Sequence, residues 1–449
     1  MYTENDFEQL RVLLEKRDLK QLRTLLEQMN EVDVALFIGS LEAEDARLVF
    51  RTLPKTIAAD VFSNLESETQ QSILESATDK ELSVIIEDLF VDDAVDMLEE
   101  LPANVVKRIL KNATSETRRV INQYLHYPED SAGSIMTAEF TDLRGAMTVE
   151  QAISHIRRTG EDRETIYTCY VIDNARLLEG VVTVKDLLLA PDDARVDSLM
   201  DKDVIAVGTL EDQEEVTHIF TKYGFLALPV VDQEKRLVGV ITVDDAMEVM
   251  EQETTEDFEV MGGMHPSEKP YLKSGVLTMS KNRIVWLLVL MVSGMITGSI
   301  LGKYEDAIGA MPLLVTFIPM LTDTGGNAGS QSSTMVIRGM VTNEITLHDL
   351  PAVLWKEVRV SVVVGAILAV VNLVRLLIVY PGNALVAVTV AATMFFTVIM
   401  ANAVGGALPM LAKACHSDPA IMAAPLLTTI VDAGALILYF NIATRLLPL

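Results

Sequence analysis

The 449-residue sequence predicts a multi-domain membrane protein: an acidic α-helical repeat, a duplicated α/β module, an acidic connecting helix and a bundle of five membrane-spanning α-helices. Three observations carry this. Half of the residues are hydrophobic, yet the formal net charge is −28. The two properties separate along the chain, because residues 281–449 hold 9 Lys/Arg against 8 Asp/Glu while the first 280 hold 27 against 56. Two internal repeats of different character then divide the acidic part. Such acidity repels nucleic acid and suits cations or basic partners.

Residues 1–130 form the first expected domain. The stretch Leu41-Glu-Ala-Glu-Asp-Ala, with Leu53-Pro54, Asn64 and Ser67-Glu-Thr69, recurs 48 residues later as Leu89-Phe-Val-Asp-Asp-Ala, with Leu101-Pro102, Asn112 and Ser115-Glu-Thr117. A half-period of 24 places Glu44, Glu68, Asp92 and Glu116 in register. Repeats of this length in helical sequence predict stacked short helices in a superhelical array. Pro54 and Pro102 fit helix starts, where a missing N–H costs nothing.

Residues 131–243 contain the second repeat. Ser134-Ile-Met-Thr and Ser198-Leu-Met-Asp open the copies, and Gly180-Val-Val-Thr-Val-Lys-Asp-Leu and Gly239-Val-Ile-Thr-Val-Asp-Asp-Ala close them. β-Branched runs such as Tyr170-Val-Ile and Leu228-Pro-Val-Val alternate with helical segments. The stretch resembles a tandem pair of CBS domains, here 131–197 and 198–243. That resemblance implies ligand sensing, with a purely structural dimerisation module as the other reading.

From Asp244 to Met261 one acidic helix is expected, ended by Gly262-Gly263, within a connecting segment 244–280. It is either a solvated helix or a connector between sensor and membrane. The domain 281–449 follows, with apolar segments near 284–302, 307–340, 358–380, 384–411 and 420–442. About 20 residues at 1.5 Å rise cross a core of roughly 30 Å. The N-terminus lacks the regions of a signal peptide, so the soluble part is expected in the cytoplasm. Five spans would put the C-terminus outside, and Lys281, Arg283, Arg338, Lys356, Arg359 and Lys413 then fall inside. Arg375 is expected to snorkel outward or to pair with a carboxylate.

The candidate chemistry begins at Asp432, a full charge inside the last apolar segment. A carboxylate at mid-bilayer costs roughly 2.5–3.5 kcal/mol on insertion scales and faces a bundle interior or a water-filled path. In segment two, Thr322–Ser333 (Thr-Asp-Thr-Gly-Gly-Asn-Ala-Gly-Ser-Gln-Ser-Ser) predicts an interruption of the helix, either at a cavity or at a helix end. Asn402 and Gly405-Gly406 suit helix packing. Pro419 and Pro425 predict an irregular start to segment five, with Thr428 and Thr429 bonding back to their own helix. A symmetric dimer about segment five would bring two Asp432 side chains together. Only His348 and His416 lie in the membrane half, and the two cysteines, Cys169 and Cys415, are far apart. Without soft ligands, a hard hydrated divalent cation fits best. No nucleophile–base set or Gly-Lys-Ser/Thr phosphate loop points to an enzyme.

The whole order of segments resembles the MgtE family of magnesium channels. Its specific marks are Tyr127-Pro-Glu-Asp-Ser-Ala-Gly-Ser-Ile-Met-Thr137, Thr324-Gly-Gly-Asn-Ala-Gly-Ser-Gln-Ser332, and Asp418-Pro-Ala with Pro425 and Asp432. The resemblance implies a homodimeric Mg2+ channel of the cytoplasmic membrane, lined by segments two and five, with hydrated Mg2+ at Asp432 and Asp418 at the inner pore end. It also implies closure by cytosolic Mg2+ at Asp92, Asp96, Glu214, Asp245, Glu253, Glu256 and Asp257, and an adenine nucleotide at the CBS cleft. Gly224 stands where some relatives carry an acid, which puts one regulatory ion in doubt. Two other readings remain: a proton- or Na+-coupled secondary transporter, and a membrane-anchored sensor that transports nothing.

Overall fold

The computed structural model describes residues 4–267, 271–272, 274–422 and 424–448. The chain forms two compact units, Met1–Met250 and Glu251–Leu449. The first opens with ten short helices: α1 (Glu4–Glu15), α2 (Leu19–Leu26), α3 (Glu31–Gly39), α4 (Ala43–Thr52), α5 (Lys55–Ser63), α6 (Ser67–Ser76), α7 (Asp79–Asp88), α8 (Val91–Glu100), α9 (Ala103–Asn112) and α10 (Ser115–Tyr124). Helices α4, α6, α8 and α10 begin 24 residues apart, as do α5, α7 and α9, so the half-period is one helix pair. No such helix can bury its apolar stripe alone, and each packs on the helix after next: α4 on α6, α7 on α9, α8 on α10. The carboxylates in register, Glu44, Glu68, Asp92 and Glu116, are each the second residue of a helix. An acid there faces the positive end of the helix dipole. Pro54 and Pro102 sit one position earlier, as the N-cap residues of α5 and α9.

The mixed module repeats one pattern twice. Its first copy holds β1 (Phe140–Leu143), α11 (Val149–Thr159), β2 (Thr165–Ile172), β3 (Leu178–Thr183), α12 (Val184–Leu189) and α13 (Val196–Leu199). The second holds β4 (Val207–Gly208), α14 (Gln213–Tyr223), β5 (Ala227–Val231), β6 (Leu237–Thr242) and then α15 (Val243–Met261). In both sheets the middle strand pairs parallel to the first and antiparallel to the last. The copies complete one another. Bridges join Thr137 to Val240 and Val181 to Asp201, so the opening segment of each copy lies on the closing strand of the other. Gly239 and Gly180 permit this, because a Cβ on either would strike Met136 or Met200 at 2.7 Å.

Helix α15 ends as the glycine pair predicts. Gly263 adopts φ +69°, and the amides of Gly263 and Met264 donate to the carbonyls of Val260 and Glu259. This double bond pattern satisfies carbonyls that the helix would leave open.

The second unit continues with α16 (Val276–Lys303), α17 (Glu305–Ala310), α18 (Ile318–Val341), α19 (Leu350–Val379), α20 (Ala384–Ala414) and α21 (Ala424–Leu446). Four helices among the described residues are long and apolar enough to cross a membrane: Val276–Lys303, Leu347–Val379, Ala384–Ala414 and Pro425–Leu446. Helix α18 has 24 residues, about 36 Å of length, but its polar stretch lowers its hydropathy. The interruption expected at Thr322–Ser333 is absent, for α18 is helical throughout that stretch. Its glycines serve close packing instead. Gly325 lies against Thr397 and Val431, Gly326 against Thr428, and Gly405 of α20 presses on the Gly329 carbonyl. The irregular backbone lies upstream, in a 3-10 turn at Pro312–Phe317. Another 3-10 turn, Pro419–Met422, precedes α21, in line with the proline pattern. Leu314, Phe317, Val390, Leu436, Tyr439 and Phe440 form the main core of this unit.

Candidate functional site

In the first unit, carboxylates from three elements gather. Asp92, Asp93 and Asp96 stand on α8, Glu164 precedes β2, and Asp245 and Glu248 stand on the first turns of α15. Asp92 is 9% exposed, and among the described residues its Oδ1 has no hydrogen-bond partner; neither has the buried Oε2 of Glu164. Burial, then the charges of Asp245, Asp93 and Glu164, hold the Asp92 carboxyl well above its usual range. Burial followed by repulsion from Asp245 pushes Asp93 up to about 7 and Glu164 up to about 8. Asp96 rises to about 7 through burial of its inner edge and the charge of Asp93, though its exposed side lets solvent screen part of this. Asp245 is raised by burial while Thr242 pulls the other way, its hydroxyl donating to Oδ2 at 2.5 Å.

That last bond gives Asp245 a structural duty. Thr242 and Asp245 close the start of α15 as Thr183 and Asp186 close the start of α12. The motif repeats; only its second copy faces the acids of α8. Among the described residues no three His, Cys, Asp or Glu side chains converge on a single metal position. The cluster is therefore a field of like charges with unsatisfied oxygens rather than a finished cage. A cation that keeps most of its water and takes one or two carboxylates suits such a field.

A second group forms in the other unit. Burial, then Asp418 and Glu253, push Asp257 up to about 6. Glu253 is half-buried and Glu256 exposed on α15. Asp418 accepts a bond of 2.7 Å from the Ala420 amide and so caps the turn ahead of α21. Glu214 stands on α14, its Oε1 3.8 Å from His218 Nε2. Gly224 ends α14 at φ +67°, a conformation an acidic residue would adopt only with strain.

Within the helical bundle Asp432 is half-buried on α21, and the charge of Asp323 on α18 acts on it. Asn327 is exposed one turn beyond Asp323, on the same face. Thr428 and Thr429 donate to the Pro425 carbonyl at 3.0 and 3.2 Å, the local bonds expected of them. Among the described residues Arg375 has no carboxylate partner; its Nη2 lies 3.1 Å from the Met320 sulfur. The sequence reading missed Asp93, Glu164, Glu248 and Asp323. Asp93 and Glu248 lie beside or one turn from recognised acids, whereas nothing near Glu164 in the chain marks it.

These features define a membrane protein with a bundle of apolar helices and an acidic part that carries a duplicated α/β module. The chain matches the MgtE divalent cation transporter family over residues 318–442, the MgtE intracellular N domain over 29–130 and CBS domains over 132–193 and 196–252. It is 37% identical over 330 residues to the magnesium transporter MgtE of Thermus thermophilus, covering 74% of this chain and 73% of that one. With the Bacillus subtilis magnesium transporter MgtE it shares 35% over 326 residues, covering 73% and 72%. The solved cytosolic domain of the Mg2+ channel MgtE in complex with ATP is 38% identical, with a TM-score of 0.51, over 54% of this chain and 98% of that one. The soluble part of a magnesium transporter gives 30% and 0.53, over 56% and 98%. The chain belongs to the MgtE family.

Proposed function

We propose that this chain is a Mg2+ channel of the cytoplasmic membrane, closed when cytosolic Mg2+ binds its acidic half. The observation that carries it is a carboxylate inside the last span, Asp432, paired with acidic clusters outside the spans, in a chain whose relatives are magnesium transporters. Asp432 is the pore ligand, and Asp418 marks the inner end beside Asp257. Asp92, Asp96, Glu214, Asp245, Glu253, Glu256 and Asp257 are the regulatory acids, and we add Asp93 and Glu164, whose carboxyls share the repulsion of Asp245. The active form is a homodimer with five spans per chain, its first half in the cytoplasm and its C-terminus outside.

The physics of closure is that of linkage. Carboxylates held together repel, and bound Mg2+ turns that repulsion into bridging. A ligand shifts the equilibrium only by its difference in affinity for the two states, and several weak sites make the response steep. When cytosolic Mg2+ falls, the bridges are lost and the channel opens. ATP at the CBS cleft is a second input, a reading supported by the related cytosolic domain solved in complex with ATP.

Flux into liposomes tests the transport reading. Wild type should pass Mg2+ down its electrochemical gradient without proton movement, and Asp432→Ala should lose at least tenfold. Proton-coupled uptake, or full flux in the variant, would overturn it.

A further inference from the structure

Helix α19 carries a carboxylate, Glu357, that neither the pore nor the acidic clusters use. Its neighbours Lys356 and Arg359 face outward, and Arg359 lies over the exposed Trp355 ring at 5.8 Å. Glu357 instead is half-buried and turns toward α20. A methyl group added at Gly406 would meet the Glu357 Cγ at 3.2 Å and the Ser332 Oγ at 3.5 Å. Both side chains thus converge on the bare face that this glycine leaves.

The third member is Asn402, one turn before Gly406 and on the same face of α20. It is 7% exposed, and among the described residues its side-chain Oδ1 has no hydrogen-bond partner. Ser332 spends its proton on the Asn402 carbonyl, 3.0 Å away, which leaves its oxygen lone pairs open. So the Glu357 side chain and the Ser332 hydroxyl flank the bare face at Gly406, and the unpartnered amide oxygen of Asn402 stands one turn away on that face of α20. An ionised carboxylate within a helical bundle is costly unless paired, and among the described residues Glu357 has no ion pair. A set of this kind, hard oxygens with a single negative charge, selects a hard cation.

We propose that Glu357, Ser332 and Asn402 form a hard-cation site in the seam between α18, α19 and α20, inside the bundle of a single chain. Ser332 lies roughly 13 Å along α18 from Asp323, the residue whose charge acts on Asp432. The site is therefore separate from Asp432, and its test is separable from that of transport.

Trp355, two residues from Glu357, supplies a local readout, because the chain has just one other tryptophan, Trp286. The full-length W286F protein in lipid nanodiscs is titrated with Mg2+, Ca2+ and Na+ while Trp355 fluorescence is followed. A saturable change with at least one of them is expected, and the D432N background should retain it. Glu357→Gln should shift the midpoint at least tenfold and Ser332→Ala severalfold. An unchanged titration in E357Q, no titration in W286F, or a response to pH alone would each overturn the site. Mg2+ flux measured in parallel shows separately whether the transport reading stands.

Discussion

Asp245 shows how one residue carries two duties. It caps α15 through Thr242, as Asp186 caps α12, yet only Asp245 meets Asp92 and Asp93. The consequence is a pH dependence with a definite sign. Folded Asp93 and Glu164 bind protons up to about 7 and about 8, while unfolded carboxyls release them near 4. The folded state holds more protons in that window, so stability falls as pH rises from about 4 through 8. In EDTA the first unit should melt at lower temperature at pH 8 than at pH 5.5, by on the order of 2–4 kcal/mol of stability. Mg2+ should restore most of this at pH 8, and Asp93→Asn should flatten the profile. Calorimetry showing no pH effect in EDTA would refute the assignment. The register of Asp92 and Asp96 was legible in the sequence because helical spacing is local. Glu164 was not, since it reaches the cluster from a loop whose neighbours along the chain carry no periodic signal.

At the scale of elements, glycine decides where helices meet. The run Thr322–Ser333 reads as a break, because it is polar within an apolar segment, and its glycines also cost helix propensity. Tertiary packing overrides that cost: Gly325, Gly326 and Gly329 let α20 and α21 approach α18. Gly405→Ala should therefore push α18 and α20 apart and destabilise the bundle by about 1–3 kcal/mol, seen as a lower melting temperature in detergent. Gly298→Ala on α16, where no atom of the described residues lies within 4 Å of an added Cβ, should leave it unchanged and serves as the control. The turn after α15 makes a related case. At Gly263, with φ +69° and Trp286 packed against it, alanine should cost about 1–2 kcal/mol from backbone strain alone.

For the whole molecule, acid and membrane divide the labour. Neutralising Asp245, Glu253 and Asp257 together should leave channel currents open at cytosolic Mg2+ levels that close the wild type. Patch recordings showing equal inhibition would reject the gating scheme, while leaving conduction through Asp432 to be judged by flux. The triple variant addresses both acidic groups, one in each compact unit.

The sequence alone determined the division into acidic repeat, CBS pair, connecting helix and apolar helices. It also determined the helix period of 24 residues, the stop at Gly262-Gly263 and the place of Asp432 as the one full charge inside the last apolar segment. All of these follow from local composition and spacing, which need no partner to be read. The tertiary structure decided which acids repel one another, that α18 runs unbroken, and that Glu357 turns inward over Gly406. Those depend on residues far apart in the chain, brought together by packing between helices, and no pattern along a single helix specifies its neighbour.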